Sequence, residues 1–389
     1  MAKVKYLWIL FCWTACTAQP SDQKQSNGEV VVGAQQFNLL LPKLKSKKVG
    51  VVVNHTSLVG KTHLVDTLKT LGVNLKKIFA PEHGFRGTAD AGEIINDSID
   101  SRTGLPIFSL YGKSKKPTLE HLSGIDVVIF DIQDIGVRFF TYISTVLYMM
   151  EACAENNKTL IVLDRPNPNG GYVDGPVMQP EFRSFVGLIQ IPIVYGMTTG
   201  ELARLSNEEG WLANKQKCNL EVIPLKNWSH GDSYSLAIKP SPNLPNDHAI
   251  ALYPSTCLFE GTILSIGRGT QNPFEFVGHP NLKSYAFNFT PISIVGMAKT
   301  PPLENRVCYG LDLRKVTVKK QIDLSYLIEL YNAFPEKEKF FTTYFDKLAG
   351  NSILKEQIKK GMTEEQIRET WQKDLTSFKA IRKKYLLYP

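Results

Sequence analysis

From residue 49 onward, unbroken apolar runs alternate with stretches of helical spacing. VGVVVNH (49–55) is a β-branched run of the kind a buried strand needs, and THLVDTLKTLG (62–72) returns its apolar residues at helical intervals and stops at a glycine. NLKKIFAPEHG (74–84), GIDVVIFDIQD (124–134) and TLIVLDRPNPNGG (159–171) each read as a strand running into a polar loop. RFFTYISTVLYMMEACAENN (138–157) is long enough for a helix; IQIPIVYG (189–196), the helical TTGELARLSNEEG (198–210) and CNLEVIPL (218–225) continue the rhythm. Strands alternating with helices predict an α/β fold built on a parallel, doubly wound sheet.

After about residue 245 the rhythm breaks. SPNLP (241–245) precedes TCLFEGTILSIGRGTQNPFEFVGHP (256–280), which is glycine-rich and strand-like, while 323–334 and 363–386 read as helices. The second of these opens with Thr363 and Gln366 at capping-box spacing. The expected division is an α/β domain over 30–245 and a smaller C-terminal α+β domain over 246–389.

The amino terminus stands apart from this pattern. Lys3 and Lys5 precede the short apolar run YLWILFCW, and small residues follow. Residues 1–18 read as a secretory signal peptide, too short to span a membrane. Two processing routes stay open: cleavage after Ala18, or lipidation of Cys16 in the imperfect lipobox WTAC. The polar stretch 19–29 reads as a flexible linker, and the protein is expected to be exported, periplasmic or anchored on the envelope.

Bulk composition changes little. The chain has 389 residues, 43% hydrophobic and 21% charged, which is ordinary globular composition. Its formal charge is +8, but no basic block interleaved with aromatics occurs, so nucleic acid is not an expected partner. The cysteines beyond the leader (Cys153, Cys218, Cys257 and Cys308) show no CxxC pairing and read as buried thiols.

Ligands of doubly wound sheets sit beyond the carboxyl ends of the strands, where this chain carries four polar loops. In APEHGFRGTADAGE (80–93), Glu82 and Glu93 flank a glycine-rich loop with His83 and Arg86 between them. Two carboxyls about 5 to 9.5 Å apart are what glycoside hydrolysis needs, although either glutamate could instead cap a helix or pair with Arg86. In DIQDIGVR, Asp131 and Gln133 project to one side and Asp134 stands four residues before Arg138, a spacing that equally allows an ion pair. In LDRPNPNGG, Asp164, Arg165, Asn167 and Asn169 offer hydrogen-bonding groups to a polyhydroxylated ligand, against the alternative of a plain turn. Farther on, Glu260, Arg268 and Glu275 surround small residues, with Arg268 able to grip a carboxylate and structural ion pairing equally open.

Several chemistries are poorly supported. Gly60-Lys61-Thr62 ends like a phosphate-binding loop, but position 55 is His where that loop needs glycine. No GxGxxG follows a strand, no HExxH or histidine-rich spacing suggests a metal, and no GxSxG elbow suggests a serine esterase. Glu201 lies in the capping box Thr198-Thr199-Gly200-Glu201 and is left out of the site.

Taken in order, APEHGFRGTADAGE, DIQDIGVRFFTY, LDRPNPNGGYVDGP, MTTGELA, SPNLP and FEGTILSIGRGTQNPFE resemble the exo-β-N-acetylmuramidases of NamZ type, from about residue 30 to the C-terminus. GHP at 278–280 departs slightly from that pattern. The resemblance implies a Rossmann-like domain, a smaller C-terminal domain and a cleft between them. It also implies an exo-acting glycosidase that releases N-acetylmuramic acid from non-reducing ends of peptidoglycan fragments, MurNAc–GlcNAc saccharides being the substrate, without cofactor or metal. Glu82 matches the family's glutamate and is the expected general acid. Glu93, Asp131 or Asp134, or the substrate's own acetamido group, would be its counterpart, and Arg268, Arg138 or Arg86 would hold the lactyl carboxylate. The competing expectation is an envelope protein that binds muropeptides without cleaving them. Oligomeric state stays open.

Overall fold

The computed structural model describes residues 1, 28–86, 97–112 and 114–389. The leader beyond Met1, most of the linker, and Glu93 lie outside them. Among the described residues no helix is long and apolar enough to cross a membrane.

The strands are β1 (Val49–Val53), β2 (Leu58–Val59), β3 (Thr62–His63), β4 (Leu75–Ala80), β5 (Ser98–Ile99), β6 (Pro106–Ser109), β7 (Val127–Asp131), β8 (Thr159–Leu163), β9 (Asn219–Ile223), β10 (Phe276–His279), β11 (Asn288–Phe289) and β12 (Cys308–Asp312). Seven of them form the main sheet in the order β5-β6-β4-β1-β7-β8-β9. All its pairings are parallel except the β5–β6 edge. Both faces are covered, which is why β1 and β7 are buried at every position and carry no polar alternation. The strand order reverses at β1, between β4 and β7, so the crevice lies over the loops that follow these strands.

The helices that concern the site are α1 (Phe37–Leu44), α2 (Leu64–Thr70), α3 (Leu119–Leu122), α4 (Tyr142–Glu155), α5 (Thr199–Glu208), α6 (Asp247–Thr256), α7 (Ser325–Ala333) and α8 (Tyr344–Ala349). Three more, α9 (Ile353–Lys359), α10 (Glu364–Thr370) and α11 (Gln372–Arg382), complete the chain. β10, β12 and β11 make a small antiparallel sheet of the further C-terminal domain. The sheet is thus mostly parallel and flanked by helices, as the apolar runs predict.

Three expectations differ. IQIPIVYG adds no strand to the sheet; Val194 makes only isolated bridges to Val137 and Asp174. The glycine-rich stretch 256–280 holds a short 3₁₀ helix (Cys257–Gly261) and one strand, because its glycines at 267 and 269 take positive φ and turn the chain. The helix expected over 363–386 is two helices, broken at Trp371, whose φ of −103° leaves the helical range. The Thr363–Gln366 and Thr198–Glu201 capping boxes both form.

The last residues fold back onto the sheet. The Tyr388 hydroxyl donates to Asp164 Oδ2 at 2.6 Å and accepts from the Leu225 N–H at 2.9 Å. The Leu387 N–H bonds Glu201 and the His230 N–H bonds the Pro389 carbonyl, so the C-terminal domain is tied to the strand ends at its far end too.

Candidate active site

β4 delivers the chain to the crevice in a tight turn. The Gly84 N–H bonds the Pro81 carbonyl at 3.0 Å, and His83 takes the positive-φ corner at +68°. A non-glycine residue held in this region marks a position that its surroundings over-determine. His83 is buried, with Nε2 3.4 Å from the Ser241 hydroxyl. The turn leaves Glu82 half-buried at the wall of a cavity of about 390 Å³, within the ~300–1,000 Å³ of small-ligand sites.

The remaining walls come from both halves of the chain. Phe139–Tyr142, at the start of α4, form one side; Tyr111 and Lys115, after β6, form another. Tyr253, Glu260 and Arg268 close the third, and Tyr344 and Lys347 on α8 stand at the rim. The Thr141 hydroxyl donates to Glu82 Oε2 at 3.1 Å. Tyr111 also bonds Glu82, and its phenol is pushed upward by burial and by the neighbouring Glu82 carboxylate. A carboxyl oriented by two hydroxyls and facing a half-open cavity can deliver a proton to a bound ligand.

Of the residues expected from sequence, the cavity gathers Glu82, His83, Glu260 and Arg268. On the cavity wall Glu260 Oε1 receives both Nε and Nη2 of Arg268 at 2.8 Å, which balances this arginine's charge, while its buried Nη1 has no hydrogen-bond partner among the described residues. The others have different occupations.

Asp131 is fully buried and accepts from Arg165 Nε at 2.5 Å and Nη2 at 2.9 Å; Arg165 also reaches the Leu58 carbonyl. That pair fastens the end of β7 to the loop after β8. Gln133 donates to the Asp134 and Pro166 carbonyls, Asn167 to the Met197 carbonyl, and Asn169 to the Ile135 carbonyl. Gly136, at φ +75°, lies so close to Asn167 that a Cβ would stand 2.1 Å from its amide. The two polar loops thus bond each other.

Asp134 does not pair with Arg138. It accepts from the Tyr195 hydroxyl and from the Gly136 N–H at 2.7 Å, and burial pushes its carboxyl up to about 6. Asp164 holds Thr198 and Tyr388 and is likewise pushed up to about 6 by burial. Arg138 is fully buried, and its guanidinium donates to four carbonyls: Pro176 (2.9 Å), Ile191 (2.7 Å), Leu348 and Ala349 (both 2.8 Å). It clamps the end of α8 to the first half of the chain. Arg86 turns away to Asp100 (3.1 Å) and Asp66, and Glu275 holds His248 and the Asn246 side chain at the start of α6. Glu93 lies outside the described residues.

Tyr111, Lys115, Thr141 and Lys347 were not expected from sequence. Thr141 lies inside the quoted RFFTY stretch, whose place at the mouth of β7 could have flagged it. Among the described residues no group of three or more His, Cys, Asp or Glu side chains could hold a metal, and the four described cysteines are buried thiols.

The chain is 39% identical, over 96% of both sequences, to the peptidoglycan beta-N-acetylmuramidase NamZ of Bacillus subtilis strain 168. It also resembles two crystal structures of DUF1343 family proteins from Bacteroides fragilis NCTC 9343. The first has a TM-score of 0.87 at 46% identity, covering 93% of this chain and 99% of the other. The second has a TM-score of 0.78 at 32% identity, covering 92% and 99%. Residues 49–248 match the N-terminal model, and 251–388 the C-terminal model, of the exo-beta-N-acetylmuramidase NamZ, and this chain belongs to that family.

Proposed function

We propose that this protein is an exo-acting β-N-acetylmuramidase that removes N-acetylmuramic acid from the non-reducing ends of peptidoglycan-derived saccharides. The observation that carries this reading is Glu82, oriented by Thr141 and Tyr111 on the wall of a cavity sized for a sugar unit. Glu82 gives its proton to the glycosidic oxygen as the C1–O bond breaks. Positive charge builds on the sugar ring and is taken up either by a carboxylate or by the carbonyl oxygen of the substrate's acetamido group. Water then adds at C1 and returns a proton to Glu82.

Asp131 and Asp134 are unsuited to the second role, because both are buried off the cavity wall, Asp131 paired with Arg165 and Asp134 holding the Tyr195 hydroxyl. Glu93 and the acetamido group remain as counterparts. The test is Glu82→Gln assayed on a chromogenic β-N-acetylmuramide. A fall in kcat of about 10²–10⁴-fold with an unchanged circular dichroism spectrum is expected; near-normal turnover would overturn the assignment. A muropeptide-binding protein without activity would instead retain the fragments uncleaved in the wild type.

The leader pattern supports export to the envelope. Mass spectrometry of the mature N-terminus distinguishes a lipidated Cys16 from a free Gln19, and an intact Met1 would refute processing altogether.

A further inference from the structure

Muramic acid differs from glucosamine by a lactyl ether that carries a carboxylate. A cavity that prefers it must supply a cation whose charge is not already matched. Arg138 and Arg86 lie away from the cavity in their own networks, and the charge of Arg268 is balanced by Glu260 at 2.8 Å, which leaves only its buried Nη1 as a donor without a partner among the described residues. Two other cations stand on the cavity wall, Lys115 and Lys347. Among the described residues neither has a carboxylate within ion-pair distance.

Their settings suit such a role. The Lys115 ammonium lies 4.4 Å from the centroid of Phe185, itself part of the wall, so the ring holds the charge at the cavity instead of letting it swing into solvent. Lys347 lies one residue before the Leu348 and Ala349 carbonyls that Arg138 grips, so its backbone is fixed against the first half of the chain. The two come from opposite halves and leave the cavity with a surplus of positive charge over Glu82. A compact ammonium with three donors accepts a carboxylate on a freely rotating ether at many angles, where a guanidinium fork would demand one.

We propose that Lys115 and Lys347 together bind the lactyl carboxylate and set the preference for muramic acid. This rests on the muramidase reading above and adds to it the groups that recognise the acid. The test compares a chromogenic N-acetylmuramide with its lactyl amide, which has the same shape without the charge. The wild type should favour the acid in kcat/KM. Lys115→Gln and Lys347→Gln should each lower the acid-to-amide ratio about fivefold, as expected for a partly exposed ion pair. The double variant should bring the ratio near one, and Lys→Arg at both positions should restore part of it. Turnover of the amide reports that each variant is folded. A double variant that keeps the wild-type ratio overturns the proposal, as does a wild type indifferent to the charge; in both cases the muramidase reading stands. A wild type that cleaves neither substrate overturns that reading and this one with it.

Discussion

Arg138→Met separates a structural role from a binding role. The side chain is fully buried and donates to four carbonyls from three segments of the chain. Removing the guanidinium leaves four acceptors without this donor, at about 1–3 kcal/mol each, or ~4–12 kcal/mol in all. Against this stands the cost of burying the charge. Burial pulls the Arg138 pKa well down, to about 9, and at ~1.36 kcal/mol per pKa unit that is roughly 5 kcal/mol recovered by methionine. The difference centres on a loss of about 3 kcal/mol, close to the ~3–5 kcal/mol seen when one partner of a buried charge network is removed. Urea unfolding followed by tryptophan fluorescence measures it. Since the clamp holds α8, KM should rise as well. A stability change inside the ~0.5 kcal/mol of an ordinary surface substitution, accompanied by lost substrate affinity, would refute the structural assignment and return Arg138 to the ligand.

Three further outcomes are expected. Asp134 sits near 6 in the folded protein against ~3.9 unfolded, so the native state holds the proton more tightly. Its ionisation costs nothing below pH ~4, and the cost grows as pH rises through 6, to ~3 kcal/mol. Asp134→Asn does not ionise, so its urea stability relative to wild type should climb between pH 4 and 7; parallel curves would contradict this. Tyr388→Phe loses both bonds of its hydroxyl to Asp164 and Leu225, at ~1–3 kcal/mol, and limited proteolysis should show the C-terminal segment released first. Thr141→Val withdraws one of the hydroxyls that orient Glu82 and should lower kcat about tenfold with KM little changed, an interaction worth ~1.4 kcal/mol; an equal change in KM would point to substrate contact instead.

The sheet was legible because its strands are buried on both faces and so are written as unbroken apolar runs, β1 and β7 above all. IQIPIVYG reads the same way, yet it is buried as a loop core: Ile191 and Ile193 are fully buried while their carbonyls serve Arg138 and the Arg138 N–H. Apolar content reports burial, not pairing. The strand-end rule located the crevice and Glu82 within it. It did not say which polar residues there face the ligand, because the backbone groups where strands end also need partners, and Asn167, Asn169 and Gln133 supply them. Lys347 was invisible for another reason. It reaches the cavity only through the packing of the C-terminal domain, more than two hundred residues from Glu82, and no local spacing encodes that.

The polar loops that look most like an active site therefore act at one remove. The Asp131–Arg165 pair sets how the chain leaves β7, and that exit determines where Phe139–Tyr142 meet Glu82. Arg138, three residues before Thr141, carries the same backbone across to α8 and so to Lys347. Placing the acid and the rim cations in one cavity thus depends on side chains that touch neither ligand nor proton. Substitution at Arg165 or Arg138 should then lower stability and activity together, whereas Glu82→Gln should spare stability and take kcat alone. This difference in pattern, and not the size of the activity loss, separates a group that performs the chemistry from one that holds it in place.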